Sequence, residues 1–444
     1  MSLVEPAELV SWVAAAADRL GADSYDAVAV RLHEGQARFS NNSLTIINEL
    51  KTENVAVYLT KGKKRILGVV SSTNKDVVDS LVGRLYASMN SGASEAEFAP
   101  LPKGPFSYTI RVPHDRDHDQ FDHASYAQRA IDAAVSEGAS RVAGSLISQH
   151  YRLFLRTSSG VEGSDERTSY SLNIRAFTDR DASGHGIAVS TKGKALDVEG
   201  AGRLAGERAA ACRSPKQVEP GVYTVLFGRT VFANLVEAVG YSASAYSVES
   251  GLSFLPPKPG EQVASQNFSL VDHGQVEGGA DSRSFDDEGV PTTSTTLVMG
   301  GVLQSLLHNS TTAVRFGTKT TGNAGLIQPH PWNLEVSAGD STIEEMIRET
   351  KHGIYVTNNW YTRFQSYKTG EYSTLPRDYA FLIENGQLSH PVAGFRISDS
   401  IPRQLKSIRL IGKDRSWIKW WEVHTPTLAP DVLVDGVTVT RAVS

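Results

Sequence analysis

The chain has one cysteine, no long apolar run and little excess of either charge. The single thiol, Cys212, excludes an internal disulfide and any metal site that needs two cysteines of one chain. No uncharged stretch reaches the roughly 18 apolar residues of a membrane span. The N-terminal stretch MSLVEP lacks the basic and apolar regions of a signal peptide. We therefore expect a cytoplasmic protein that does not contact a membrane.

The charge balance argues against nucleic acid as a partner. The 444 residues include 44 Lys and Arg against 49 Asp and Glu, which gives a net charge of −5. A mildly acidic chain without basic clusters offers no electrostatic surface for a phosphate backbone, so we expect no direct binding of nucleic acid. The length and the 40% hydrophobic content are enough for two domains.

Residues 1–215 predict an N-terminal α+β domain. Helical periodicity occurs at 6–20 and 75–89, and between these helices we expect four strands, at residues 26–32, 43–47, 54–59 and 64–71. A second block follows, with helices at 124–137 and 197–211 and strands at 141–156, 167–178 and 186–191. The two similar blocks predict an antiparallel sheet with helices packed on one face.

A run rich in histidine and aspartate, PHDRDHDQFDH at 113–123, precedes the second block. Imidazole and carboxylate groups can bind a metal ion. Acidic residues just before a helix also stabilise its N-terminus. We interpret this run as a solvated loop that caps the helix beginning near His123.

Residues 216–444 predict a mostly-β, barrel-like C-terminal domain. The segment 221–227 is typical of a strand, a helix follows it, and turn residues separate the later apolar stretches. Only residues 342–350 predict a further helix, with an N-cap at Ser341 or Thr342.

The helix after strand 221–227 is the candidate functional element, and Glu237 lies in its middle. A zinc hydrolase helix pairs such a glutamate with histidines, because neutral imidazole binds Zn²⁺ and the carboxylate takes a proton from the bound water. Here the corresponding positions are Val236, which has no donor atom, and Tyr241, a poor zinc ligand near neutral pH. Five residues turn an α-helix through about 500°, so these two positions lie about 140° apart unless the helix is distorted.

The order and spacing of six short stretches resemble the TldD/TldE (PmbA) family, once called modulators of DNA gyrase. The stretches are GEQVA at 260–264, SFDDEGVP at 284–291, GGVLQSL at 300–306, TTGNAG at 320–325, TGEYS at 369–373 and LIENGQLSHPV at 382–392.

The resemblance implies a division of labour between two kinds of subunit. TldD-type chains carry zinc on a His-Glu-x-x-x-His helix with a later cysteine, and they hydrolyse peptides. TldE-type chains share the fold, lack the zinc site and pair with a TldD-type chain. In this sequence Val236 and Tyr241 stand at the two histidine positions, Glu237 remains, and Cys212 precedes the helix. The chain is therefore similar to a TldE-type subunit with a degenerate zinc site, no catalytic residue and no cofactor of its own, and the zinc is expected in its partner.

The resemblance further implies a heterodimer that degrades or processes small or unfolded peptides. Candidate residues for contact with substrate or partner are Glu237, Tyr241, Asp287, Glu288, Trp417, Trp420 and Trp421. Two alternatives remain open. One is a stand-alone, homodimeric binding or regulatory protein. The other is an independent hydrolase with a non-standard metal site formed by Glu237, Tyr241, Glu249 and His273.

Overall fold

The computed structural model describes residues 4–92 and 95–441, which form two β-sheets with associated helices. Outside these ranges lie residues 1–3, 93–94 and 442–444. The start of the expected domain 1–215 and the end of the expected domain 216–444 therefore lie outside the described residues. Within the described ranges, no helix is both long enough and apolar enough to cross a membrane.

The N-terminal sheet consists of two blocks with the same order of elements. The first block is α1 (Pro6–Leu20), β1 (Ser24–Ser40), β2 (Ser43–Lys61), β3 (Lys64–Val70) and α2 (Lys75–Gly92). The second is α3 (His123–Ser136), β4 (Arg141–Thr157), β5 (Glu162–Phe177), β6 (Ser183–Ser190) and α4 (Val198–Ala211). The strands pair in the order β3-β2-β1-β4-β5-β6, and every pair is antiparallel. The expected antiparallel sheet and its two blocks are confirmed.

The expectation of four strands in the first block is wrong, because β2 is one strand of 19 residues. Its polar middle, residues 48–53, has the composition of a loop but pairs with residues 31–36 of β1. Residues 45–51 of β2 are exposed, including Ile46, Ile47 and Leu50. A strand that no helix covers shows no apolar alternation, so its sequence does not reveal it.

The two faces of the N-terminal sheet pack against different layers. Ala27 and Ala29 of β1 lie in the core beneath α1 and α2. Val28 and Val30, at alternate positions, pack with Phe285 of the C-terminal half. Successive side chains of a strand point to opposite faces, so the same strand joins the helices on one side to the C-terminal half on the other.

The C-terminal half is a mixed sheet of 12 strands. Its strands are β7 (Lys216–Gln217), β8 (Gly221–Phe227), β9 (Leu270–His273), β10 (Ser294–Met299), β11 (Val302–Leu303), β12 (Leu334–Val336), β13 (His352–Ser366), β14 (Glu371–Glu384), β15 (Gln387–Ala393), β16 (Phe395–Ser400), β17 (Ile408–Trp420) and β18 (Val423–Arg441). Its helices are α5 (Arg229–Ser242), α6 (Ala245–Glu249), α7 (Ser310–Phe316), α8 (Ile343–Arg348) and α9 (Ile401–Lys406). The α+β class is confirmed.

After α5 and the short α6 that follows it, the sequence predicts only one helix, at 342–350. This expectation is wrong, since α7 and α9 are also present. Helices of 6 or 7 residues are too short for helical periodicity to be recognised. The expected N-cap is confirmed for α8, because the Thr342 side chain accepts a hydrogen bond from the Glu345 backbone N–H.

Candidate functional site

Helix α5 follows β8 directly and lies against β18 and β13. Its first residue is fixed by Asp431 of β18, which accepts hydrogen bonds from the backbone N–H of Arg229 at 3.0 Å and from its guanidinium at 2.7 Å. The helix then runs without interruption to Ser242. An undistorted helix presents residues at i, i+3, i+4 and i+7 on one face. Asn234, Glu237, Ala238 and Tyr241 have this spacing, and all four line a cavity of about 680 Å³.

Val236 lies on the opposite side of α5 from this cavity. It is fully buried in the core of the C-terminal half with Leu235 and Val239. Tyr241 is 42% exposed and faces the cavity. The angular separation that the sequence predicts for these two positions is therefore present in the folded helix.

Glu237 is a buried carboxylate at the base of the cavity. Its Oε1 accepts a hydrogen bond from the backbone N–H of Thr425 at 2.6 Å. Burial raises the pKa of Glu237 to about 7, although the backbone N–H groups of Thr425 and His424 act in the opposite direction. Burial likewise raises the pKa of Tyr241, so its phenol stays protonated near neutral pH.

A polar network connects α5 to the strand on the other side of the cavity. The Asn234 side-chain oxygen accepts hydrogen bonds from Asn359 Nδ2 at 3.0 Å and from Thr362 Oγ1 at 2.8 Å. The Asn234 amide donates to the backbone oxygen of Glu422 at 2.5 Å. Tyr361 has a φ of 59°, which is uncommon for a bulky residue. Its backbone N–H donates to the Glu422 carboxylate at 3.1 Å, which holds this irregular part of β13 in place.

The three tryptophans lie in different surroundings. Trp420 is buried and packs against His185 of the N-terminal sheet, with ring centroids 4.9 Å apart. Trp421 is 52% exposed and lines the cavity. Trp417 is half-buried over Gly278, where a Cβ would lie 2.5 Å from the indole nitrogen. Trp421 is thus the one of the three that is available to a ligand in this cavity.

Asp287 and Glu288 do not line the α5 cavity. Asp287 forms an ion pair with Arg283 at 2.9 Å and lines a separate, smaller cavity between the N-terminal sheet and the C-terminal half. Glu288 is buried, and its carboxylate accepts hydrogen bonds from the backbone and side chain of Ser310 at the start of α7. The ion pair of Asp287 and the hydrogen bonds of Glu288 connect loop segments to one another, which is a structural role.

The non-standard metal site considered from the sequence is not assembled. Glu249 forms an ion pair with Arg315 at 2.5 Å. His273 contacts Glu335 at 3.1 Å and Ser294 at 2.8 Å. Of the four residues in that set, Glu237 and Tyr241 alone contribute to the α5 cavity.

The residues around the α5 cavity do not fit a zinc ion. Val236 has no donor atom and faces the core, and Tyr241 is a protonated phenol. Burial raises the pKa of Cys212 to about 12, so it is a thiol rather than the thiolate that binds metals. Within residues 4–92 and 95–441, no three His, Cys, Asp or Glu donors converge in this cavity. A metal-dependent step cannot be assigned to it.

The sequence analysis did not predict most of the residues that line the α5 cavity on the side opposite α5. The additional lining residues include Thr362, Phe364, Tyr367, Glu422 and His424. The available signal was the run NNWYTRF at 358–364, in which polar and aromatic residues follow a buried strand.

Two family models match the chain. Residues 113–213 match the PmbA/TldA metallopeptidase central domain, and residues 220–441 match the PmbA/TldA metallopeptidase C-terminal domain. The matched models thus define the class by its domains, which are those of the PmbA/TldA metallopeptidases. The chain belongs to the PmbA/TldD family.

Individual relatives agree with this assignment. Metalloprotease PmbA of Escherichia coli O157:H7 is 30% identical over 220 residues, covering 48% of this chain and 47% of the relative. A metalloprotease of Methanothermobacter thermautotrophicus is 29% identical over 225 residues, covering 49% of each. The matched part of the chain thus spans about half the length of these curated relatives.

Solved structures match over nearly the whole chain. A candidate modulator of DNA gyrase from Thermotoga maritima superposes with a TM-score of 0.85 and 25% identity, covering 98% of this chain and 100% of the other. TldE from Thermococcus kodakarensis superposes with a TM-score of 0.82 and 17% identity, covering 97% and 99%. The second of these likenesses concerns the fold alone.

Proposed function

We propose that this chain is a non-catalytic, TldE-type subunit that pairs with a TldD-type zinc metallopeptidase in a peptide-degrading or peptide-processing heterodimer. The observation that carries the proposal is that Val236 is buried in the core while a large cavity persists on the other face of the same helix. The chain has kept the cavity without the metal ligands. Such a chain contributes to binding rather than to hydrolysis.

The walls of the cavity suit an extended peptide. Residues 353–356 of β13 pair with β8 on one side, whereas residues 360–366 pair only with β14 among the strands described. Thr362 and Phe364 lie in this part and also line the cavity. The backbone N–H groups of Tyr361 and Thr362 donate to the Glu422 carboxylate, which leaves residues 363–366 as the edge for an added strand. An open strand edge can hydrogen-bond the backbone of an added strand, and the neighbouring rings of Tyr367 and Trp421 can hold alternate side chains. Small or unfolded peptides are therefore the proposed substrates.

The decisive experiment compares peptide hydrolysis by the purified chain, by a TldD-type subunit from the same organism, and by their mixture. We expect no hydrolysis by this chain alone and a higher rate for the mixture than for the partner alone. Trp421→Ala should raise the KM of the mixture, because it removes an exposed ring from the cavity wall. Met299→Ala is the matched control, since Met299 is 58% exposed and lies on β10 outside the cavity.

Glu237→Gln distinguishes a binding subunit from an independent hydrolase. If Glu237 were a general base, its loss would lower kcat by about 10²- to 10⁴-fold. Hydrolysis by the isolated chain that disappears in Glu237→Gln would refute the proposal. A stable homodimer that does not associate with the TldD-type subunit would instead favour the stand-alone binding role.

A further inference from the structure

A group of side chains with metal-donor atoms lies on the N-terminal sheet, far along the chain from α5. His33 of β1 and His150 of β4 are directly opposite each other in the strand pairing. The segment before α3 crosses the sheet here, and its 3₁₀ turn His118–Gln120 brings His118 and Asp119 to His33. The run at 113–123 thus does more than cap α3, although Asp122 does cap it by accepting from the backbone N–H groups of Ala124 and Ser125.

The expectation that this run is fully solvated is wrong for His118, whose side chain is only 4% exposed. Its Nε2 has no hydrogen-bond partner among the described residues. The other ring nitrogen, Nδ1, has one long polar contact, to Asp119 at 3.5 Å. A buried imidazole with so few partners can take a further ligand.

The distances among three donor atoms fit a tetrahedral metal site. Asp119 Oδ1 lies 3.5 Å from His33 Nδ1 and 3.5 Å from His118 Nδ1. Metal–ligand bonds of about 2.1 Å place tetrahedral ligand atoms about 3.4 Å apart. All three ligand atoms lie within 4.8 Å of one another. Asp119 Oδ1 is already at this spacing from both imidazoles, so a small shift of the His33 and His118 rings toward each other would complete the geometry.

Surrounding groups orient the ligands and compensate the nearby positive charges. Glu49 Oε2 lies 3.4 Å from His33 Nε2, so it can hold the ring with Nδ1 directed toward Asp119. Arg31 is paired with Glu53 at 2.5 Å, and Arg152 lies 3.5 Å from Glu5. Lys51 also lines the adjoining cavity of about 730 Å³. The two arginines are thus paired with carboxylates and leave the imidazole and carboxylate donors available.

We propose that His33, His118 and Asp119 bind one divalent transition-metal ion of the zinc class, at a site separate from the α5 cavity. Two imidazoles and one carboxylate favour Zn²⁺ or Co²⁺ over Mg²⁺ or Ca²⁺, which prefer oxygen ligands alone. The fourth position is open to water from the adjoining cavity. The bound ion ties the segment before α3 to β1 and so stabilises the N-terminal sheet.

The test uses the full chain, freed of any affinity tag and treated with chelator that is then removed. Titration with Co²⁺ followed by visible absorption, and with Zn²⁺ followed by calorimetry, should give one site per chain. Zn²⁺ should also raise the unfolding midpoint, since it binds the folded state preferentially. His33→Gln and Asp119→Asn should abolish both effects. Glu49→Gln should weaken binding about 10- to 100-fold.

A matched control locates the site. His390→Gln removes a histidine of β15 and should bind metal as the unaltered chain does. Asp119 is 79% exposed, so Asp119→Asn tests the site without disturbing the fold. Absence of cobalt absorption and of zinc binding heat in the unaltered chain would overturn the proposal, as would unchanged binding in both His33→Gln and Asp119→Asn.

Discussion

The buried carboxylate of Glu237 makes the stability of this protein depend on pH in a way that one substitution should remove. Burial raises its pKa from the ordinary value of 4.5 to about 7 in the folded chain. A group whose pKa is higher in the folded than in the unfolded chain stabilises the fold fully below its unfolded pKa. That stabilisation is lost as the pH rises through the folded pKa.

The size of the effect follows from the pKa difference. A difference of about 2.5 pKa units corresponds to about 3.4 kcal/mol, at about 1.4 kcal/mol per unit. The Glu237 residue is only 8% exposed, so solvent screening reduces this value little. Glutamine cannot ionise, and its side-chain oxygen can still accept the hydrogen bond from Thr425. Relative to the unaltered chain, Glu237→Gln should therefore gain about 2.5 kcal/mol between pH 5 and pH 8.5.

Urea unfolding at a series of pH values measures this difference. The free energies of unfolding of the two proteins should diverge steadily from about pH 4.5 to about pH 7 and then differ by a constant amount above about pH 8. Glu277→Gln, which alters an exposed carboxylate in a turn, should follow the unaltered chain throughout. Parallel curves for Glu237→Gln and the unaltered chain would refute the assignment of Glu237 as a buried, proton-binding group.

Three further predictions concern the packing around α5 and between the two halves of the chain. Asn234→Ala should lower the free energy of unfolding by about 2–4 kcal/mol, because Asn359 and Thr362 lose their shared acceptor. Urea unfolding measures this loss. A loss below about 1 kcal/mol would show that the network does not stabilise the fold. Val236→His should cost at least about 2 kcal/mol, since it buries an imidazole in an apolar core. The double variant of Val236→His with Tyr241→His should also add no zinc site at the cavity. Calorimetry with Zn²⁺ tests this in a chain that also carries Asp119→Asn, because that substitution removes the proposed site on the N-terminal sheet. Asp26→Asn should raise the unfolding midpoint, more at pH 8 than at pH 5. Burial and the neighbouring Asp287, Glu288 and Asp286 raise the pKa of Asp26 well above its ordinary value, so stability is lost as the pH rises; equal shifts at both pH values would contradict this.

The N-terminal fold was largely readable from the sequence because its helices carry apolar residues at helical spacing and parts of its strands alternate in burial, as residues 170–177 of β5 do. The outer part of β2 escaped detection because no layer covers it, so its sequence carries no pattern of burial. The short helices α7 and α9 escaped because their positions are fixed by contacts with distant segments. One example is the pair of hydrogen bonds from Ser310 to Glu288 at the start of α7.

The sequence by itself determined the chemistry that is missing at α5. Whether a side chain has a metal-donor atom depends only on residue type, so Val236 can supply no metal ligand however the chain folds around it. The motifs from 260 to 392 determined the family for the same reason, because their order and spacing are properties of the chain.

Only the tertiary structure decided which residues face one another. Asn234 meets the backbone of Glu422 across 188 positions of sequence, and His33 meets Asp119 through a turn that crosses the sheet. The raised pKa of Glu237 also depends on how deeply neighbouring segments bury it. Contacts between distant segments and the loss of solvent around a charge exist only in the folded chain, which is why the α5 cavity wall and the histidine cluster could not be derived from the order of residues.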